Sequence, residues 1–267
     1  MLGDVKHLVN DFRAALLDAA TSYRKQAPGL VEEIRIGFKS TEAKGMVACE
    51  HQILSDADVR AVLAAAAAVD ARGRWDGALV HLVAVLAASG ARFSQIVRMR
   101  VADVQVARNR LMVPVSAKGR GEKQRPQIAV QVGADVLEIL RPAISGRRGT
   151  DPLFVRPLWM QKTVGKWEEI GREPWLSASE LSRPWAAVVA EAGLAADTIP
   201  YSLRHSSIMR GLLTGLPVRL VAALHDTSSA MNERRYSSGV GDALSELASK
   251  AIIPLISASP APLHSVK

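Results

Sequence analysis

Four short stretches of this chain carry side chains that could work on a phosphate ester. In Ser89-Gly90-Ala91-Arg92-Phe93-Ser94-Gln95-Ile96, an arginine follows a glycine suited to ending a helix and stands at the start of the next turn. In Ser116–Arg125, Lys118 sits in a basic, glycine-bearing turn between two β-like segments, from which a flexible amine can reach a DNA groove or a scissile phosphate. In Tyr201-Ser202-Leu203-Arg204-His205, directly after Pro200, Tyr201 and Arg204 are three apart and share a helix face. The start of that helix also presents free backbone N–H groups to an anion. In the fourth, Leu224-His225-Asp226-Thr227 is followed, eleven residues after the histidine, by Tyr236 in Glu233-Arg234-Arg235-Tyr236.

Each stretch has an ordinary reading too. Arg92 could be a solvated residue at a helix end, and a Lys/Gly-rich hairpin tip often serves only solubility. Tyr201–His205 could be a capping segment, and Tyr236 an amphipathic surface residue. What favours chemistry is the combination. Attack on a phosphodiester builds negative charge on the phosphate oxygens, and arginine answers it with a permanent charge and a fork of donors. A tyrosine of pKa about 10 costs roughly 4 kcal/mol to ionise at pH 7, and a cationic neighbourhood lowers that cost.

These residues need elements to hold them. Apolar spacing at Val5, Leu8, Val9, Phe12, Leu16, Leu17 and Ala20 predicts a helix over 5–24, and Pro28 with several glycines and mixed charges predicts a partly irregular connection over 25–52. Ser55 caps an Ala-rich helix to about 71; a second helix runs over roughly 75–89 to Gly90. Segments 101–106, 111–115 and 126–130 are short and β-branched, and predict a small three-stranded antiparallel sheet. Helix returns at 133–142, a loop is expected over 145–176, and helices follow at about 178–193, 202–214, 217–224, 228–236 and 241–252. The fold class is mainly α with one small sheet.

Composition narrows the setting. The 267 residues can bury one good-sized core. Aromatic content is 4%, so core volume comes from aliphatic residues, and the net charge of +8 suits nucleic acid before an anionic membrane. The lone Cys49 cannot form an internal disulfide, and no Cys/His cluster has metal-site spacing. The apolar stretches are too short for a membrane span, and the first residues lack a signal-peptide core. A cytoplasmic protein with access to DNA, needing neither metal nor cofactor, is expected.

In this order and spacing, SGARFSQIVRMRVADV, VSAKGRGEKQRP, YSLRHSS and LHDTSSAMNERRYSS resemble the tyrosine recombinase (phage integrase) family over roughly residues 53–250. The resemblance implies a site-specific recombinase of mobile elements that cuts and rejoins double-stranded DNA through a 3′-phosphotyrosyl bond, as a homotetramer on DNA. It implies that Arg92 and Arg204 grip the scissile phosphate, that Lys118 protonates the leaving 5′ oxygen with Lys123 as competitor, and that His225 bonds the phosphate. Tyr236 would be the nucleophile. Tyr201 stands where many relatives have His, so proton assistance could fall to His205 or Lys118, and Gln95 stands where relatives often have Glu. Arg120, Lys123, Arg125 and His205 are the expected DNA contacts. The alternatives are a non-cleaving DNA-binding accessory protein, an inactive integrase remnant and a type IB topoisomerase.

The same resemblance divides the chain into a partial helical core-binding region with linker (1–50), a catalytic domain (51–255) and a disordered tail (256–267). Helix 241–252, with Leu244, Leu247, Ala251 and Ile252 on one side, would dock on its own domain or on a neighbouring protomer. Since members clamp DNA between two domains, half a clamp should bind weakly and mostly through phosphates, with a steep fall of affinity as salt rises. Titrating duplex DNA at several salt concentrations checks this; tight sequence-specific binding in moderate salt would contradict it.

Overall fold

The computed structural model describes residues 2–37, 52–116 and 126–236, and the chain divides into two compact units, Met1–Met46 and Val47–Lys267. In the first unit, α1 spans Leu2–Ser22 and α2 spans Leu30–Gly37. The second helix is the regular part of the partly irregular connection expected over 25–52. Pro28 and Gly29 interrupt the chain only before it, where the Gly29 carbonyl accepts from the N–H groups of Glu32 and Glu33. Those two acids sit in the first turn and Arg35 in the last, the arrangement that suits the helix dipole.

The second unit begins with α3 (Asp56–Gly73), opened by a reciprocal cap: Ser55 Oγ accepts from the Asp58 N–H at 3.1 Å, and Asp58 Oδ2 accepts from the Ser55 N–H at 3.0 Å. Its alanines let α4 (Ala78–Ser89) and α7 (Ala178–Glu191) pack closely against it. The central helix α4 is buried along almost its whole length, with Leu79, Leu82, Val83 and Val85 fully enclosed. Its start is held from α3. The buried Asp70 carboxylate accepts from the N–H groups of Gly77, Leu79 and Val80 at 2.8, 2.9 and 3.0 Å, three of the donors a helix N-terminus leaves unpaired.

After the single turn α5 (Phe93–Ile96) comes an antiparallel sheet of β1 (Val104–Gln105), β2 (Arg110–Pro114) and β3 (Gln127–Gln131), in that order, with Leu111 facing both Val104 and Val130. The expected first strand over 101–106 shrinks to two residues. Asp103 Oδ2 accepts from the Arg100 N–H at 2.7 Å and closes a 3-10 turn over Val101–Asp103, which competes with strand pairing.

Helix α6 (Ala134–Ile144) follows as expected. The expected loop over 145–176 instead contains a long hairpin of β4 (Val155–Thr163) and β5 (Lys166–Pro174), turned at Val164-Gly165 with Gly165 at φ 77°. Most of the hairpin is exposed on both faces, so it lacks the alternation that a half-buried strand writes into a sequence. It is anchored at its base, where Trp175 stacks on Trp75 at 5.6 Å and Arg156 pairs with Glu173 and Glu180.

Helices α8 (Ser202–Leu213) and α9 (Val218–Leu224) and the helical segment 229–236 complete the described unit. Ile208, Met209, Leu212, Val221 and Tyr236 form a second small core there. The architecture is mainly α with a small three-stranded antiparallel sheet. The expected helix over 241–252 and the tail over 256–267 lie outside the described residues. Among the described residues, no helix is long and apolar enough to cross a membrane.

Asp70→Ala leaves three N–H groups at the head of α4 without their acceptor. It should cost about 2–3 kcal/mol in urea unfolding, with Asp70→Asn recovering part of the loss through its amide oxygen.

Candidate active site

The site forms where the ends of α4 and α9 meet α8. Glycine at position 90 is required there twice over. Its φ of 58° ends α4 in the left-handed region, and an added Cβ would stand 2.7 Å from Ser207 Cβ and 2.8 Å from His225 Cδ2. This approach lets Arg204, on the first turn of α8, reach two carbonyls with one guanidinium. Nη1 donates to the Gly90 carbonyl at 2.8 Å and Nη2 to the His225 carbonyl.

Arg204 is only 2% exposed. Burial pulls its pKa down, while Tyr201, whose ring lies 5.8 Å from the guanidinium carbon, pushes it up and Arg92 pushes it down. No carboxylate pairs with it directly among the described residues, and its Nε, also buried, has no partner there. A buried charge without a paired carboxylate is costly and leaves positive potential for an anion.

Arg92 is the half-buried counterpart. It stands at the N-cap of α5, and its Nη1 donates to Ser116 Oγ at 2.7 Å and to both the carbonyl and Oδ2 of Asp226 at 3.1 Å. Gln95 accepts from the Arg92 N–H at 2.9 Å, and donates to the Pro114 carbonyl at 2.9 Å and to Asp226 Oδ2 at 3.3 Å. Arg92, Ser116, Tyr201, Asp226, Thr227 and Arg235 line an open cleft of about 470 Å³.

The other expected participants are buried. Tyr236 is 3% exposed, with its hydroxyl 2.7 Å from Nδ1 of His205. Burial, then the Tyr201 hydroxyl, raises the Tyr236 phenol to about 12, and Arg204 and Arg235 offset this only in part. Phenolate is therefore disfavoured in this arrangement, contrary to the expectation from the surrounding cations. His205, expected as a DNA contact, lies edge-on to Tyr201 and faces Tyr236. His225, expected on the phosphate, is held by the Val221 carbonyl at 2.9 Å on Nδ1 and by Ser207 Oγ at 2.9 Å on Nε2. Burial first, then nearby arginines, brings both imidazoles down to about 4; for His225 the Val221 carbonyl pulls the other way. Lys118, Arg120, Lys123 and Arg125 lie outside the described residues.

The structure thus brings Arg92 and Tyr201 to one cleft, and packs Arg204, His205, His225 and Tyr236 within the protein around it. The residue the sequence reading passed over is Asp226. Its backbone has φ 49°, uncommon for a side chain other than glycine, asparagine or aspartate. Burial alone would raise its carboxyl, but hydrogen bonds from Ser116 and the charges of Arg92 and Arg204 hold it below its ordinary value. Its place beside His225 and one turn before a Tyr-bearing helix was the only available signal. Among the described residues, no group of three metal-ligating side chains occurs.

A family model described as "Phage integrase family" matches residues 52–238. Among solved structures, the chain is similar to XerA recombinase, with 19% identity, a TM-score of 0.54, and coverage of 94% of this chain and 83% of that one. It is similar also to a lambda integrase fragment crystallised as a dimer bound to a core site, with 18% identity, a TM-score of 0.51, and coverage of 82% and 71%. A Tn1549 transposon integrase in complex with a circular intermediate DNA aligns at 12% identity with a TM-score of 0.52, covering 89% and 78%. At these identities the likeness is one of fold. No curated protein matches the chain.

The two buried imidazoles set an acid limit. Their folded pKa values near 4 lie below the ordinary 6.5, so between those values the unfolded chain binds more protons. The stability each contributes is fully present above about pH 6.5 and is lost as pH falls toward 4, by at most about 3 kcal/mol each. Thermal unfolding followed from pH 7 to 4 should show this fall, and His225→Asn, which cannot take up the proton, should flatten it by about half.

Proposed function

Because the chain belongs to the phage integrase family, we propose that it is a site-specific DNA recombinase that cuts and rejoins duplex DNA through Tyr236. Arg204 carries this reading: a guanidinium enclosed by protein, held by two carbonyls and the Tyr201 side chain with no carboxylate paired to it among the described residues, near the half-buried Arg92. Two arginine charges at one cleft suit the non-bridging oxygens of a phosphodiester, whose charge grows as a fifth oxygen approaches phosphorus.

In the proposed reaction the Tyr236 oxygen attacks phosphorus as its proton passes to Nδ1 of His205, and the bond to the 5′ oxygen breaks. Lys118 supplies a proton to the departing 5′ oxygen. The resulting 3′-phosphotyrosyl bond retains the energy of the broken strand, and a 5′ hydroxyl reverses the step without ATP. Tyr201 borders the phosphate position, and His225 steadies the floor through Ser207. His205, paired with the phenol at 2.7 Å, accompanies the proton's departure.

With a phenol pKa of about 12, ionising the buried Tyr236 at pH 7 costs about 7 kcal/mol. DNA binding therefore has to draw Tyr236 from the small core toward the cleft, where phosphate and arginines replace its apolar neighbours. The partner is double-stranded DNA, bound by basic residues that include Arg120, Lys123 and Arg125, and the working assembly is a homotetramer on DNA in the cytoplasm. The same burial of Tyr236 would suit a non-cleaving DNA-binding protein, and one experiment separates the two.

On a nicked suicide duplex bearing its attachment site, the wild-type protein should form a covalent protein–DNA adduct that Tyr236→Phe does not. Arg92→Ala and Arg204→Ala should each slow adduct formation by about 100-fold or more. Absence of any wild-type adduct, with Tyr236→Phe indistinguishable from it, would leave DNA binding as the function.

A further inference from the structure

The cleft contains an acid that the proposed reaction does not use. Asp226 Oδ2 is the meeting point of three donors: the Ser116 N–H at 2.8 Å, Arg92 Nη1 at 3.1 Å and Gln95 Nε2 at 3.3 Å. These come from the end of β2, the head of α5 and the buried face of α5, more than 100 residues before Asp226 in the chain. Gln95 is 1% exposed, and its amide can serve the Pro114 carbonyl and Asp226 together only because it donates to both. A carboxylate at 95 would face the Pro114 carbonyl instead, so the acid of this cluster comes from position 226.

From this geometry we infer that Asp226 is a positioning residue, which fixes Arg92 for the phosphate and ties it through Ser116 to the end of β2. The inference rests on the recombinase reading for its catalytic consequence, but not for the placement of Arg92. All hydrogen bonds of Arg92 among the described residues leave from Nη1. That edge is committed to Ser116 and Asp226, while Nε and Nη2 make no hydrogen bond among the described residues and are the donors the inference assigns to the anion. An acid that merely occupied the phosphate position would have no reason to be anchored by the Ser116 backbone.

The backbone at 226 offers a clean control. At φ 49° glycine fits the backbone at least as well as aspartate, so Asp226→Gly removes the carboxylate and its three hydrogen bonds without adding backbone strain. Asp226→Asn keeps the shape and an acceptor for Ser116 but removes the charge. Both variants should bind duplex DNA at least as tightly as the wild type, since a negative charge leaves the cleft. Both should form the phosphotyrosyl adduct about 100-fold more slowly, because Arg92 is no longer held.

Two measurements decide it. In the first, side-chain nitrogen NMR of arginine-labelled protein without DNA, with the Arg92 signal assigned through Arg92→Lys, reads rotation of the guanidinium. The wild type should show it hindered and Asp226→Asn should show it freely averaged; equal behaviour in the two overturns the inference. In the second, adduct formation is timed on a nicked duplex that the wild type cleaves. Slower cleavage with unweakened binding supports positioning, whereas faster cleavage by either variant would make Asp226 a competitor of the phosphate and overturn it. If the wild type cleaves no duplex, the recombinase reading fails, and the NMR measurement alone decides whether Asp226 holds Arg92.

Discussion

Arg204 takes a full positive charge into the protein, and two backbone carbonyls at helix ends accept from it: Gly90 closing α4 and His225 closing α9. Helix C-termini leave carbonyls without intrahelical partners and carry the negative end of the helix dipole. Two such ends turned on one guanidinium offset part of its burial cost and fix the angle at which the helices meet. Everything else in the site depends on this junction. Gly90 must lack a side chain for α8 to approach, His225 is packed against Ser207 by the same approach, and Asp226 emerges beside Arg92.

The two arginines are held by different physics. Arg204 is fixed by burial and by carbonyls, so its position is set by the core of the protein and changes little with solvent conditions. Arg92 is about a quarter exposed and is fixed by an ion pair and a serine, a weaker arrangement in which screening by water and salt matters. A phosphate arriving at the cleft would find one rigid donor and one adjustable donor. In the proposed reaction, that division would let the site adapt as phosphorus passes from four to five oxygen neighbours.

Tyr236 carries two opposed requirements. As a member of the small core with Ile208, Met209, Leu212 and Val221, it stabilises the end of the described chain. In its proposed role as nucleophile it would need solvent or cations around its oxygen, and the apolar surroundings that stabilise the fold are what hold its pKa near 12. Apolar burial and nucleophilicity cannot both be maximal in one position. A phenol that rests in the core and leaves it only when DNA is bound reconciles them, at the cost of a slower first step.

Much of the frame was legible from local chemistry. The Ser55–Asp58 cap, the glycine after α4, the short apolar, β-branched segments of β2 and β3, and the helical spacing of α3, α4, α7 and α8 each declare themselves within a few residues. So did the identity of the arginines and the tyrosine, because their side-chain chemistry is intrinsic. The β4–β5 hairpin was not legible, since an element with two exposed faces leaves no apolar pattern, and neither was α2, shorter than the window in which periodicity shows. The arrangement of the site was also beyond the sequence. Asp226 meets Arg92 across 134 residues, Tyr236 is buried against His205 across 31, and His225 turns to Ser207. Sequence by itself determined which charged and nucleophilic groups the protein owns and the elements that carry them. Only the tertiary structure decided which groups are buried, which face the cleft and which neutralise one another, because solvation and proximity belong to the packed chain and not to its residues.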